Sequence, residues 1–211
     1  MGVGCLADSC QDCKQCEVGE EQACTSEAGY TMTYNYPTAH GHLATNTGHT
    51  LGGYSASMTV HRRYIVRVPV EYPLEVTGPV LCAGITMYSP LKHWGCLAGG
   101  KRVGVVGIGG LGQMGIQLAK AMGNIVTAIS TSPHKEAGAR QLGADHFIVS
   151  SQPDSMAMGA KSLDLILNTV SADHDLTALL GLLARDGTVV ALGAVAKENR
   201  TNIYPWLHRC D

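Results

Sequence analysis

A glycine-rich segment in the middle of the chain restricts its fold more than any other feature. Residues 107–112 read GIGGLG, after an apolar stretch at 103–107 and before apolar residues at helical spacing that end at Met122 and Gly123. A strand, a tight glycine turn and a helix in this order are typical of a dinucleotide-binding unit, although a purely structural glycine turn is the alternative. The residues expected to cradle a pyrophosphate at the helix N-terminus are Gly107, Gly109, Gly110, Leu111 and Gly112.

Apolar strands and helical patterns alternate through the second half of the chain. Ser132 as N-cap and Pro133 at the first helical position predict a helix that ends near Gly143. An Asp186-Gly187 turn is expected before the last strand. The predicted strands cover residues 103–107, 125–129, 146–149, 163–169 and 188–193. This alternation predicts an α/β fold, a doubly wound parallel sheet of the Rossmann type.

The end of the second predicted strand bears on the choice of cofactor. An NAD site usually places Asp or Glu about 20 residues after the glycines, to accept hydrogen bonds from the ribose 2′-hydroxyl. Here the segment contains Ser130, Thr131, Ser132 and Lys135 and no carboxylate. Three hydroxyls and a lysine can bind a 2′-phosphate, so the sequence favours NADP. The alternative is that Ser132 only caps the helix and Lys135 is a solvated surface residue.

Four cysteines near the start of the chain form a second motif. Cys10, Cys13, Cys16 and Cys24 have the spacing C-x2-C-x2-C-x7-C, which allows a short loop to direct four thiolates at one tetrahedral ion. A closed shell of four thiolates has no open position for substrate, so we expect a structural zinc. Free thiols or disulfides are the alternative interpretation.

Composition and charge restrict the remaining possibilities. The first 75 or so residues are rich in Gly, Cys, Tyr and Thr, with short alternating stretches such as 64–68, which predicts β structure with long loops. The domain boundary is expected between residues 73 and 79. A net charge of -2 without a basic stripe argues against a zinc module that binds nucleic acid. Neither a membrane span nor a secretory signal is evident, so a soluble, cytoplasmic protein is expected.

Four segments in the same order resemble one known family. The run 3–24, the phrase LGGYS at 51–55, the segment LCAGITMYSP at 81–90 and the glycine loop resemble cinnamyl alcohol dehydrogenases and their microbial relatives. These belong to the zinc-containing alcohol dehydrogenases of the medium-chain dehydrogenase/reductase family. The resemblance extends to about Ala196. It implies an internal fragment, with a partial GroES-like β-rich domain at 1–76 and a Rossmann domain at 77–211 that is incomplete at its C-terminal end.

The resemblance also implies an activity and further site residues. Cys82 matches a ligand of a second, catalytic zinc, Thr86 matches a position near the nicotinamide, and Thr169 with Val170 match the strand end that lines the cofactor cleft. The implied chemistry is reversible hydride transfer between NADPH and an aldehyde, a small-molecule substrate polarised by zinc. A homodimer is expected for the full-length form.

The chain departs from the family pattern at the catalytic zinc. Such a site needs three protein ligands, and the sequence supplies Cys82 alone, because the other Cys and a His-Glu pair belong to a segment expected before Met1. His40, His42 and His49 are interpreted as loop histidines rather than substitute ligands. Two hypotheses therefore remain: part of a working oxidoreductase, or a catalytically inactive NADP-binding remnant with a zinc loop.

Overall fold

A computed structural model describes residues 1–38, 40 and 47–194 of the chain. Its contacts divide the chain into two compact units, the first covering Met1–Cys82 and the second beginning at Ala83. The division falls within the π-helical turn Val80–Gly84, a few residues after the expected boundary at 76. The end of the predicted second domain, residues 195–211, lies outside the described residues, as does His42.

The first unit combines short strands with long loops. Strand β1 pairs antiparallel with β4, and β2 pairs antiparallel with β3. Its elements are β1 (Gly2–Val3), β2 (Leu6–Asp8), α1 (Lys14–Glu17), β3 (Thr31–Met32), β4 (Ile65–Val66) and α2 (Leu74–Pro79), with 3-10 turns at Glu21–Ala23, Gly52–Tyr54 and Arg62–Tyr64.

The alternating stretch 64–68 contains a short strand in the structure. Only Ile65 and Val66 pair, because β1 offers just Gly2 and Val3 as partners. Tyr64 instead closes the preceding 3-10 turn, where its side chain is buried. A strand therefore lies within this stretch, as the alternation predicts, and it covers two of the five residues.

The second unit contains a five-stranded parallel sheet in the order β7-β6-β5-β8-β9, which confirms the doubly wound α/β prediction. The strand order reverses beside β5, at the place where such sheets bind ligands. The elements of this unit are α3 (Ile85–His93), β5 (Arg102–Val106), α4 (Gly110–Ala121), β6 (Ile125–Ser130), α5 (Glu136–Gln141), β7 (His146–Val149), α6 (Pro153–Met158), β8 (Leu163–Asn168), α7 (Leu176–Leu180) and β9 (Leu183–Ala191), with 3-10 turns at Cys96–Ala98 and Pro133–Lys135.

The last strand differs from its prediction. β9 begins before the Asp186-Gly187 pair rather than after it, and the pairing register with β8 shifts between Leu163 and Leu165. Asp186 adopts a positive φ of 62°, so the two residues form an irregularity inside the strand instead of a turn ahead of it.

The sheet and two helices share an apolar core that fixes the start of α4. Met87 and Leu91 of α3 are fully buried with Ile116 of α4 and Val105 of β5. Gly115 faces the Met87 side chain, so the absence of a Cβ lets α4 approach α3 closely. This packing holds the N-terminus of α4 at the carboxyl end of β5. In the part of the chain that the structure describes, no helix has the length and apolar character needed to cross a lipid bilayer.

Candidate zinc and dinucleotide sites

The four clustered cysteines lie close together in the first unit. All four Sγ atoms are within 4.8 Å of one another. The Cys13–Cys16 and Cys10–Cys24 sulfur pairs are 3.5 Å apart, and the Cys10–Cys16 and Cys13–Cys24 pairs are 3.9 and 4.0 Å apart. A tetrahedral zinc with bonds of about 2.3 Å places its sulfur ligands about 3.8 Å apart. The cysteines form no disulfide, and their spacing fits one zinc ion.

The local backbone prepares these thiols for a cation. Cys13 lies at the N-cap of α1, and backbone hydrogen bonds from Thr25 and Cys16 lower the pKa of Cys13 to about 5. Burial raises the pKa of Cys16 to about 11, against a hydrogen bond from Ser9 that lowers it. A buried thiolate is costly without a compensating charge. A cation held by all four sulfurs would supply that charge.

The glycine loop between β5 and α4 is crowded at Gly107 and Gly112 and open at Gly109 and Gly110. Gly107 has a φ of +86°, and a Cβ on Gly112 would lie 1.8 Å from the Gly107 carbonyl oxygen. Added Cβ atoms on Gly109 and Gly110 would meet nothing within 4 Å. The loop therefore forms a tight turn with an open outer face at the N-terminus of α4, where Leu111 is half-buried. Unpaired N–H groups there can bind a pyrophosphate.

Thr169 and Val170 pack against this loop from the end of β8. The Thr169 hydroxyl donates to the Val106 carbonyl at 2.8 Å and to the Gly107 carbonyl at 3.1 Å. A Cβ on Gly107 would lie 2.9 Å from Thr169 Oγ1 and 3.0 Å from Val170 Cγ2. The structure therefore brings both residues to the glycine loop, and Thr169 ties the loop to the neighbouring strand.

Replacing Thr169 by Val tests whether its hydroxyl bonds hold the glycine loop in place. Val keeps the shape of the side chain and removes both hydroxyl bonds, so we expect a loss of about 1 kcal/mol in the free energy of unfolding, the ordinary contribution of a hydrogen bond. Dinucleotide binding should weaken with it, because the loop is held less firmly. Urea unfolding and a cofactor titration measure the two effects. Thr177→Val in α7 keeps both loop bonds and is the control; equal losses in the two variants would contradict the interpretation.

The residues after β6 approach the same loop. Lys135 Nζ donates to the Ile108 carbonyl at 3.4 Å. Ser130 is buried and its hydroxyl accepts from the Ser132 N–H at 3.2 Å, whereas Thr131 is exposed. Ser132 is the N-cap of the turn Pro133–Lys135, as predicted, but its side chain makes no capping hydrogen bond. The ammonium group of Lys135 thus contacts the glycine loop, and three hydroxyl side chains lie in the same short segment.

Cys82 lies apart from the four-cysteine cluster, in the turn Val80–Gly84. It is exposed and neighbours Cys5, whose pKa is raised to about 11 by burial and by the adjacent Cys82 thiol. The two thiols line a cavity of about 310 Å³ with Leu81 and Thr33. Thr86 is half-buried in the first turn of α3.

Cys82 belongs to no group of three or more metal-binding side chains in the described ranges. Among those residues, the four clustered cysteines alone form a group of three or more metal-binding side chains. His40 bonds to the Gly29 carbonyl at 2.7 Å, and His49 is exposed. These observations agree with the interpretation of both as loop histidines.

Comparison with known proteins gives the family. Residues 110–209 match the zinc-binding dehydrogenase family. The chain is 51% identical over 204 residues to the aldehyde reductase YahK of Escherichia coli K12. This alignment covers 95% of this chain and 55% of the relative. A cinnamyl alcohol dehydrogenase of Sorghum bicolor superposes with a TM-score of 0.89 at 41% identity, over 98% of this chain and 57% of that one. The chain contains a zinc-binding dehydrogenase domain.

Other relatives agree with this zinc-binding dehydrogenase assignment. An NADP-dependent alcohol dehydrogenase of Mycolicibacterium smegmatis is 45% identical over 98% of this chain and 57% of its own length. A cinnamyl alcohol dehydrogenase of Helicobacter pylori complexed with NADP(H) has a TM-score of 0.83 at 34% identity, over 98% of this chain and 56% of that one. This chain thus spans about half the length of the relatives that it matches.

Several polar residues around the four-cysteine cluster were not predicted from the sequence. The hydroxyls of Ser9 and Ser26 each lie 3.2 Å from a cysteine sulfur of the cluster, and Tyr64 contacts Ser9 across 55 residues of chain. A serine next to a Cys motif is a weak signal, and nothing in the spacing indicates Tyr64. These contacts depend on the tertiary structure.

Proposed function

We propose that this chain is the zinc-loop and cofactor-binding part of an NADP-dependent alcohol dehydrogenase that interconverts aldehydes and alcohols. One observation carries the cofactor assignment: Lys135 contacts the glycine loop and lies in the segment 130–135, which has three hydroxyl side chains and no carboxylate. The names of the relatives support the rest, because they include an aldehyde reductase and an NADP-dependent alcohol dehydrogenase.

The electrostatics after β6 favour a 2′-phosphate over a 2′-hydroxyl. Lys135 is exposed except for its bond to Ile108, so its ammonium group is accessible to an anion. The next carboxylate along the chain, Glu136, pairs with Arg140 at 2.8 Å. Charge-assisted hydrogen bonds from Lys135 and Ser132 to a phosphate are stronger than neutral ones.

Each part of the site then has a role in binding. The glycine loop and the N-terminus of α4 hold the pyrophosphate, Thr169 keeps the loop in place, and Ser130, Thr131, Ser132 and Lys135 hold the adenosine ribose and its phosphate. By the family resemblance, Thr86 is assigned to the nicotinamide end of the cleft and Val170 to the strand end that lines it. The bound cofactor supplies a hydride to an aldehyde carbon.

The proposal includes two zinc sites, and the described residues supply a full set of ligands for one of them. Cys10, Cys13, Cys16 and Cys24 fit a structural zinc by their sulfur distances. Cys82 is proposed as one ligand of a catalytic zinc, but such a site takes three protein ligands and an open position. The described residues near Cys82 do not supply the other two, so no catalytic step is assigned to a metal here.

Ser132→Asp is expected to reverse the cofactor preference. The new carboxylate repels a 2′-phosphate and accepts from a 2′-hydroxyl, so NADPH affinity should fall by about 10- to 100-fold, the effect of losing a charged hydrogen bond of roughly 1.5–3 kcal/mol. NADH affinity should be unchanged or higher. Fluorescence titration of the 211-residue chain with both cofactors measures the ratio.

A matched control places the same charge elsewhere. Ser57→Asp puts a carboxylate on an exposed residue of the first unit, outside the segment 130–135. It should change the NADPH to NADH affinity ratio much less than Ser132→Asp. Equal binding of NADPH and NADH by the unaltered chain would remove the basis of the proposal.

A catalytically inactive NADP-binding chain is the second candidate. Among the described residues, only the four clustered cysteines form a group of three or more metal-binding side chains. One zinc per chain, NADPH binding and no turnover would support it. Two zincs per chain, or NADPH consumption with a panel of aldehydes by a form extended at both ends, would favour the dehydrogenase.

Two further properties belong to this proposal. A homodimer is proposed for the full-length form from the family resemblance. A cytoplasmic location is proposed because the four clustered cysteines are grouped as metal ligands rather than as disulfides, an arrangement typical of reducing compartments.

A further inference from the structure

Ser9 lies directly before the zinc-loop cysteines and is completely buried. Its hydroxyl oxygen has three polar neighbours: Tyr64 OH at 2.5 Å, Cys16 Sγ at 3.2 Å and the Gln11 amide at 3.4 Å. Tyr64 is itself only 8% exposed. A single buried hydroxyl therefore connects a proposed zinc ligand to a side chain from the distant Arg62–Tyr64 turn.

Zinc binding would fix the direction of these hydrogen bonds. A cysteine bound to zinc is a thiolate, which can only accept. Ser9 has one proton and must then donate it to Cys16. The lone pairs of the Ser9 oxygen then accept two hydrogen bonds, one from the Gln11 N–H and one from the Tyr64 O–H. With a protonated Cys16, the Ser9–Cys16 bond has no fixed direction.

We propose that Tyr64 and Ser9 form a hydroxyl relay that positions Cys16 for the structural zinc and couples metal binding to the Arg62–Tyr64 turn. Tyr64 donates to Ser9, and Ser9 donates to the Cys16 thiolate. This inference rests on the proposed zinc site. Both residues are positioning residues, because neither contacts the metal.

The relay links zinc to the strand pairing of the first unit. Tyr64 immediately precedes β4, which pairs with β1 at Gly2 and Val3. Arg63 forms a second link between the turn and the zinc loop. Its guanidinium lies 3.4 Å from the Cys16 carbonyl oxygen and 3.8 Å from the Glu21 carboxylate, and its side chain is 44% exposed. Exposed ion pairs contribute little, whereas a buried hydrogen bond to a thiolate is screened much less. The hydroxyl pair therefore carries most of the coupling.

Zinc affinities of three variants of the 211-residue chain test the relay. Ser9→Ala removes the donor to Cys16, and we expect zinc binding about 10- to 100-fold weaker, the usual effect of losing a partner of a metal ligand. Tyr64→Phe keeps the ring and removes the donor to Ser9, so a smaller loss is expected. The double variant should bind no more weakly than Ser9→Ala, because Tyr64 acts through Ser9.

Two readouts separate positioning from stability. Competition with a chromophoric chelator gives the zinc dissociation constant, and the thiolate-to-metal charge-transfer band of the Co²⁺-substituted chain reports the electron density at the sulfurs. Ser9→Ala should shift that band, which a general loss of stability does not. Tyr54→Phe is the control, since Tyr54 is 87% exposed and outside the relay.

The outcomes distinguish the relay from the zinc site. Unaltered zinc affinity in both single variants, or losses that add fully in the double variant, would overturn the relay and leave the zinc site intact. Absence of bound zinc in the unaltered chain would overturn the zinc site and the relay with it. If Ser9→Ala fails to fold, Tyr64→Phe decides: weaker zinc binding supports the relay, and unchanged binding overturns it.

Discussion

Gly112→Ala is expected to abolish dinucleotide binding, with an affinity for NADPH at least about 100-fold weaker, equivalent to about 3 kcal/mol. The new Cβ would lie 1.8 Å from the Gly107 carbonyl oxygen and 2.9 Å from its carbon. These are backbone atoms that cannot rotate away, so the turn must open or the start of α4 must move. Either change displaces the N–H groups proposed to hold the pyrophosphate.

The test combines cofactor titration with thermal unfolding. Gly138→Ala in α5 is the matched control, because its Cβ would meet nothing within 4 Å and the residue lies inside a helix. That variant should bind NADPH normally and gain about 0.5–1 kcal/mol of stability, the usual advantage of Ala over Gly in a helix. Normal NADPH binding by Gly112→Ala would show that the loop is not the cofactor site.

Cys16→Ser is expected to have the second large effect, the loss of the structural zinc. Structural zinc binding contributes about 10–16 kcal/mol in small zinc domains, and a hydroxyl is a poor replacement for a thiolate. Cys16 is also the most buried of the four, at 1% exposure. We expect the zinc loop to unfold, while the parallel sheet of the second unit retains its structure.

Elemental analysis and limited proteolysis measure this outcome. The zinc content should fall from one ion per chain to none, and cleavage should appear in the loop that contains α1. Cys82→Ser is the cysteine control, because Cys82 is exposed and outside the cluster. Chelation of the unaltered chain should reproduce the cleavage pattern of Cys16→Ser. A full zinc complement in Cys16→Ser would contradict the assignment.

Much of the second unit was predictable because its elements depend on local patterns. The buried strands β5, β6, β7 and β8 are apolar runs, and each lies within a residue or so of its predicted bounds. β9 was predicted less well, since Asp186 and Gly187 normally form a turn and here form a strand irregularity. The first unit was less predictable because its strands are two or three residues long.

The sequence by itself determined the features that depend on spacing: the four-cysteine motif, the glycine turn between strand and helix, and the absence of a carboxylate at 130–135. The tertiary structure alone decided which polar groups support them. Ser9 with Tyr64, Lys135 with Ile108 and Thr169 with Gly107 are 55, 27 and 62 residues apart. Hydrogen bonds between such distant groups require the backbone to be folded first, and they leave no periodicity in the chain that forms them.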